Sequence, residues 1–207
     1  MRPDSPHTPA IPSRCAQRPT AGGLVVPYVA FTHNGHATFG ALDAERARTA
    51  FTEKLCQICG QPLNERAYVI VRPADEITGH SPEPALHPEC LPYTAAHCPM
   101  LNGTALRYRE LPVLATHPAG RACTDAACPC PAEPGHNHQA RSGQLAEQYE
   151  AWMITACDYR LVFHDERPQA PVGISLAVPI LRKRLLRKAA LPPEAQRYLQ
   201  LLQGLGL

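Results

Sequence analysis

Two pairs of potential metal ligands constrain this chain more than any other feature. Cys56 and Cys59 are separated by two residues and followed by Gly60, and His87 and Cys90 repeat the two-residue separation further along the chain. Two thiolates in a Cys-x2-Cys turn can reach one ion, and a glycine after the turn lets the backbone reverse. The second pair would share one face of a helix beginning there, as the proline between its members favours. We therefore predict a zinc site of three cysteines and one histidine, a closed set typical of structural zinc.

The composition explains why such a chain would need a metal. Leu, Ile, Val and Phe together make up 42 of the 207 residues, whereas proline contributes 23 and glycine 13. This aliphatic content is at the lower limit for a globular chain. The chain is also rich in cysteine and histidine, with nine and ten residues respectively. Because metal binding supplies folding free energy directly, we expect a small core held by metal rather than a large α/β enzyme core.

The residues around the two pairs predict short elements in a fixed order. Residues 67–72 are predicted as a strand, 73–84 as a loop and 91–98 as one or two helical turns. The order of knuckle, hairpin and helix resembles the treble-clef class of zinc fingers over residues 55–98. This resemblance implies the same two ligand pairs. The run of CxxCG, HPxC and a further Cys-Pro is also similar to uncharacterised zinc-finger proteins of actinobacteria and their phages, and that resemblance carries no activity.

Alternatives stay open for this first site. The four residues could be ordinary buried side chains without a metal. Cys98 could also replace His87 or Cys90 as a ligand, and His97 lies beside it. His87, Cys90 and Cys98 cannot all join the Cys-x2-Cys pair, because a tetrahedral site accepts four ligands.

A second cluster of potential ligands lies in residues 119–138, which are rich in proline and glycine. Its members are Cys123, Cys128, Cys130, His136 and His138. A loop this long with little to bury is normally disordered. A second zinc, bound by the three cysteines and one of the two histidines, would explain the cysteines. The alternatives are a flexible linker with incidental thiols and an iron–sulfur or redox site.

Catalytic signatures are weak. His87-x-Glu89 matches half of the zinc deaminase signature, but the Pro-Cys-x2-Cys half is missing downstream. The chain contains no Walker loop, no G-x-G-x-x-G after a strand and no G-x-S-x-G elbow. We assign no catalytic residue. Because some treble clefs carry nuclease active sites, a metal-dependent hydrolase, in particular a nuclease, is the alternative to a non-enzymatic function.

Positive charge is concentrated at the C-terminal end. The formal net charge is +2, but residues 178–207 carry +5 and the remainder −3. Helices are predicted over residues 174–190 and 193–203. In the first helix the basic side chains lie opposite an apolar face, and we predict that Arg184, Arg187 and Lys188 contact nucleic-acid phosphates. The alternatives are a solvated helix face and a membrane-surface helix.

The predicted organisation has three regions: a disordered proline-rich arm (1–20), a zinc-stabilised domain (21–177) and basic amphipathic helices (178–207). The fold class is α+β, with short strands around the treble-clef-like core. The remaining local predictions are strands at 24–31, 107–116 and 151–163, helices at 41–54 and 144–150, and Cys157 as a core cysteine.

The predicted function is a zinc-binding, non-enzymatic interaction module that contacts nucleic acid or a protein partner. No stretch approaches the roughly 18 apolar residues of a membrane span, so no membrane partner is expected. The N-terminal residues lack an apolar signal segment, which favours the cytoplasm. In that reducing compartment, clustered cysteines are more often metal ligands than disulfides.

Overall fold

The structure is a computed structural model that describes residues 10–33, 36–110, 141–164 and 167–204. Its strands are β1 (Thr20–Ala21), β2 (Leu24–Val25), β3 (Ala30–His33), β4 (His36–Leu42), β5 (Arg66–Val71), β6 (His80–Ser81), β7 (Tyr149–Thr155), β8 (Leu161–His164), β9 (Arg167–Ser175) and β10 (Arg182–Arg187). Its helices are α1 (Ala44–Thr52), α2 (Pro73–Thr78), α3 (Leu91–His97), α4 (Pro99–Asn102) and α5 (Pro193–Gly204). This mixture of helices and small antiparallel sheets confirms the α+β class.

A three-stranded antiparallel sheet, in the order β10-β7-β5, forms the centre of the fold. Five consecutive side chains of β5, from Ala67 to Val71, are buried. Successive side chains of a strand point to opposite sides, so both faces of β5 are covered. Tyr68 and Ile70 pack into one apolar cluster, whereas Ala67, Val69 and Val71 pack into another. The sheet therefore separates two small cores.

The two cores differ in what they pack against the sheet. The first contains the cysteines of both metal-ligand pairs together with α3 residues Leu91 and Tyr93. The second contains Phe51 of α1, Ile174 of β9 and Tyr159. Helix α1 is capped by Asp43, whose carboxylate accepts from two backbone N–H groups of the first turn. The candidate metal centre is thus fixed on one face of the central sheet.

A second three-stranded sheet has the order β6-β9-β8. Gly173 of β9 lies so close to β6 that an added Cβ would be 2.2 Å from the Ser81 carbonyl oxygen. Only glycine fits this approach. Two further hairpins, β1–β2 and β3–β4, precede α1, and the Tyr93 hydroxyl accepts from the Val25 N–H at 3.0 Å, which joins β2 to α3.

The helix predicted over residues 174–190 is wrong. Residues 167–175 form β9, and Arg182–Arg187 form the edge strand β10, which pairs antiparallel with β7. Leu, Lys, Arg and Ala favour a helix in isolation, but pairing with a neighbouring strand overrides such propensity. The basic residues therefore lie along a sheet edge.

Five other segments also differ from their prediction. Within the predicted strand 107–116, the described residues 107–110 form no strand, and Arg107 makes only an isolated bridge to Leu145. Residues 73–84 contain α2 and β6 rather than a loop, since the Arg72–Asp75 interactions cap α2. Residues 144–148 are not helical, and the predicted strand 151–163 is interrupted by the 3₁₀ turn Ala156–Asp158. Residues 10–20, placed in the disordered arm, include the 3₁₀ turn Ser13–Cys15.

Other local predictions are confirmed. α1 lies within 41–54, β5 overlaps 67–72, α3 lies within 91–98 and α5 overlaps 193–203. In the described parts of the chain, no helix has the length and apolar character to cross a bilayer.

Candidate metal centre

Both predicted ligand pairs meet in one buried group. The ligand atoms of Cys56, Cys59, His87 and Cys90 all lie within 4.8 Å of one another. The exposed fractions of the four residues are 0, 6, 0 and 0% in that order. The two pairs are separated by at least 28 positions in the sequence. Their three thiols and one imidazole therefore meet in the fold, out of contact with solvent.

The first pair is held by a tight backbone turn. The Gly60 N–H donates to the Cys56 carbonyl at 2.8 Å, and the Cys56 N–H donates to the Gln61 carbonyl at 2.9 Å. Gly60 has a φ of +76°, and a Cβ there would lie 2.6 Å from Cδ2 of Tyr28. The turn thus needs glycine for its left-handed backbone and for the close approach of a ring.

The second pair is positioned by the central sheet. Leu86 and Tyr68 exchange two backbone hydrogen bonds of 2.9 Å, so the chain before His87 runs beside β5. The Cys90 N–H then donates to the His87 carbonyl at 3.0 Å, and Cys90 is the N-cap residue of α3. A strand pairing positions His87, and a helix start positions Cys90. The two ligands do not share a helix face as predicted, because α3 begins at Leu91 and His87 lies before it.

The His87 ring has a defined orientation. Nε2 lies 3.0 Å from the Pro62 carbonyl oxygen, and Nδ1 lies 3.3 Å from the Cys59 sulfur. Because a carbonyl oxygen can only accept, Nε2 must carry a proton. Nδ1 therefore faces the thiols and can bind either a proton or a metal. Metal-binding histidines commonly have such an outer hydrogen bond.

The donor set fits zinc. With zinc–sulfur and zinc–nitrogen bonds of about 2.3 and 2.0 Å, a tetrahedral site separates sulfur from nitrogen by about 3.5 Å and two sulfurs by about 3.8 Å. The 3.3 Å between Cys59 Sγ and His87 Nδ1 is close to the first of these values, and all four ligand atoms lie within 4.8 Å of one another. Thiolates and imidazole are also the ligand types that zinc prefers.

The group is strongly polarised when no metal is bound. Hydrogen bonds from Cys59 and Cys90 lower the pKa of Cys56. Burial lowers the pKa of His87, but hydrogen bonds with Cys56 and Cys59 outweigh it and raise that pKa to about 10. Hydrogen bonds with the same two cysteines raise the pKa of Cys90. These directions favour a Cys56 thiolate paired with a His87 imidazolium, a pair without net charge, and a metal would have to displace the imidazole proton to bind at Nδ1.

Cys15 is a neighbour of the group that the spacing of potential ligands does not reveal. It is 2% exposed and belongs to the same buried cluster as Cys56, Cys59 and Cys90. Its thiol lies within hydrogen-bonding reach of Cys90, and burial raises its pKa. No local signal marks this position, because Cys15 is a single cysteine between prolines.

Three other residues singled out by the sequence lie elsewhere. Neither His97 nor Cys98 belongs to the group of four. His97 contacts the Tyr93 ring at a centroid distance of 4.3 Å, and Cys98 is partly buried at the end of α3. Cys157, predicted in the core, is exposed, and its sulfur lies 2.8 Å from Thr155 Oγ1.

The second predicted cluster falls outside the described residues. Its members are Cys123, Cys128, Cys130, His136 and His138. The second zinc therefore stays a prediction.

The three predicted nucleic-acid contacts have different surroundings. Arg184 and Lys188 are exposed, whereas Arg187 is buried. The Arg187 guanidinium donates to the carbonyl oxygens of Met100 and Ala105 at 2.9 and 2.8 Å. It therefore holds β10 against the α4 segment.

No known family model, curated protein or solved structure matches this chain. The function of the metal centre therefore has to follow from its own geometry and chemistry.

Proposed function

We propose that this chain is a zinc-binding, non-enzymatic interaction module. Cys56, Cys59, His87 and Cys90 would hold one structural zinc. The observation that carries the proposal is the convergence of four buried donors, three of them thiols, from two distant segments. Buried polar groups need partners, and one metal ion would bind all four donors at once.

The surroundings of the group support a treble-clef arrangement. A Cys-x2-Cys knuckle is followed by β5, by Leu86 paired back onto Tyr68, and by α3 beginning at Cys90. This is the order of knuckle, hairpin and helix that the sequence resembles. Helix α2 and strand β6 lie between the two paired segments, which accounts for the long separation of the ligand pairs.

The burial of the donors favours a structural over a catalytic metal. A catalytic zinc keeps one coordination position for water or substrate. Here four protein donors surround the centre, and none is more than 6% exposed. The hydrolase alternative requires an open position at this or another metal, so the geometry favours it less.

The partner surface we propose is the edge strand β10. Its Arg182, Lys183 and Arg184 are exposed, and Lys188 follows directly. Among the described residues, no strand pairs with the outer edge of β10. Clustered cations on one accessible strand suit nucleic-acid phosphates. Arg184 and Lys188 are the proposed contacts, while Arg187 supports the strand from within.

Metal content tests the first part of the proposal. Purified protein should lose one equivalent of zinc when Cys59 is replaced by serine and none when the exposed Cys157 is replaced. Equal metal content in both variants would contradict the proposed ligands.

Binding of labelled RNA and duplex DNA tests the second part. Affinity should fall steeply with salt, and a variant with both Arg184→Ala and Lys188→Ala should lower the slope of log K against log salt by about two. Arg48→Ala, which removes an exposed cation of α1, serves as the matched control. Salt-independent binding, or none, would overturn the nucleic-acid contact and leave a protein partner.

A further inference from the structure

A fifth thiol lies against the four-residue metal group. Cys15 is 2% exposed and packs in the same cluster as the three cysteine ligands. Its thiol is within hydrogen-bonding reach of Cys90 and is close enough to Cys59 and Cys56 to sense their charge. It lies outside the set whose ligand atoms are mutually within 4.8 Å. The structure thus gathers five donors, of which four meet the geometric condition for one ion.

The 3₁₀ turn that carries this thiol is bound to both ligand segments. Arg14 Nη1 donates to Gln61 Oε1 at 3.2 Å, and Gln61 Nε2 donates back to the Arg14 carbonyl at 3.1 Å. The Arg14 guanidinium also lies 3.6 Å from the carboxylate of Glu89. Gln61 follows the first ligand pair, and Glu89 lies within the second. Cys15 is therefore placed beside the centre by specific contacts.

We propose that Cys15 is a reserve ligand of the metal centre, which replaces His87 when a softer cation binds or when the imidazole is lost. This inference rests on the proposed zinc function. The imidazole is the hardest of the five donors, and soft cations favour thiolates. Exchange would convert a site of three thiolates and one imidazole into a site of four thiolates without a change of fold, because three of the four ligands stay in place.

Cadmium binding to the intact chain tests this exchange. Cadmium is a softer congener of zinc, and its ultraviolet sulfur-to-metal absorption reports the number of bound thiolates. In Cys15→Ser, the absorption of this site should be about a quarter lower than in wild-type protein, because one of the four thiolates is missing. Cys98→Ser is the matched control and should leave the absorption unchanged. The cysteines outside this site that are not replaced are the same in all three proteins, so any absorption that they contribute is also the same.

Two outcomes separate this inference from the proposed function. If Cys90→Ser lowers the absorption of this site but Cys15→Ser changes nothing, the reserve ligand is wrong and the metal centre stands. If Cys90→Ser also changes nothing, no metal binds at this group and both proposals fail.

A second variant tests the exchange in the absence of the imidazole. His87→Gln retains an amide N–H that can donate to the Pro62 carbonyl. It should bind cadmium with the wild-type number of thiolates and lose at least about tenfold in affinity when Cys15→Ser is added. Equal affinities of the single and double variants would overturn the proposal. If the Gln variant does not fold, the comparison between wild type and Cys15→Ser decides the question.

Discussion

The Nε2 atom of His87 lies 3.0 Å from the carbonyl oxygen of Pro62, the residue that bridges back to Leu55 after the first ligand pair. One ligand segment thereby fixes the ring of the other. Because the carbonyl requires a donor, a metal held by this group would bind at Nδ1.

Nitrogen-15 NMR of the zinc-loaded protein checks this assignment. The spectrum should show a protonated Nε2 and a metal-bound Nδ1 for His87. A metal-bound Nε2 would show that the Pro62 contact does not orient the ring.

Replacement of Gly60 by alanine should destabilise the protein by about 2–4 kcal/mol, because a left-handed alanine is strained and its Cβ would collide with the Tyr28 ring. Gly22 is the matched control. Its φ is +58°, but nothing lies within 4 Å of an added Cβ, so Gly22→Ala should cost only about 1 kcal/mol. Chemical denaturation measures both. Equal losses would mean that the contact with Tyr28 is unimportant.

Arg187→Ala should lower the free energy of unfolding by about 2–3 kcal/mol, since it leaves the carbonyls of Met100 and Ala105 without their charged donor. Arg184→Ala, on the exposed part of the same strand, should change stability by less than about 0.5 kcal/mol. Urea titrations of the two variants give the comparison. An Arg187→Ala protein with the wild-type free energy of unfolding would refute the supporting role assigned to this guanidinium.

Zinc binding at pH 7 should release at least two protons per ion, one each from His87 and Cys90, since metal ligation requires a neutral imidazole and deprotonated thiols. The pKa of His87 is raised to about 10 and that of Cys90 is also raised, so both groups carry protons at pH 7 in the metal-free protein. Affinity should therefore fall by at least about 100-fold for each pH unit of acidification. Calorimetry in buffers of different ionisation enthalpy counts the protons. Zinc binding without proton release would contradict the charge state described for the group.

The parts of the fold that sequence could predict are those with a local signature. The Cys-x2-Cys-Gly spacing, the apolar run of β5 and the spacing of His87 and Cys90 around Pro88 each depend on a few neighbouring residues. They identify the two ligand pairs and the elements that carry them.

The parts that sequence could not predict depend on distant contacts. The segment that forms β10 has helical composition, and only its pairing with β7 makes it a strand. Cys15 is buried because Arg14 binds Gln61, 47 positions away, and nothing in the proline-rich sequence around it indicates that contact. By sequence alone Arg187 resembles the exposed cations beside it, since its partners lie more than 80 positions away.

Thermal unfolding with and without a strong chelator tests the central claim most directly. Removal of the metal should lower the melting temperature by more than about 10 °C, because structural zinc contributes folding free energy, and added zinc should restore it. The variant Cys56→Ser should melt at the low temperature under both conditions. An unchanged melting temperature after complete metal removal, verified by elemental analysis, would contradict the account of a zinc-stabilised fold.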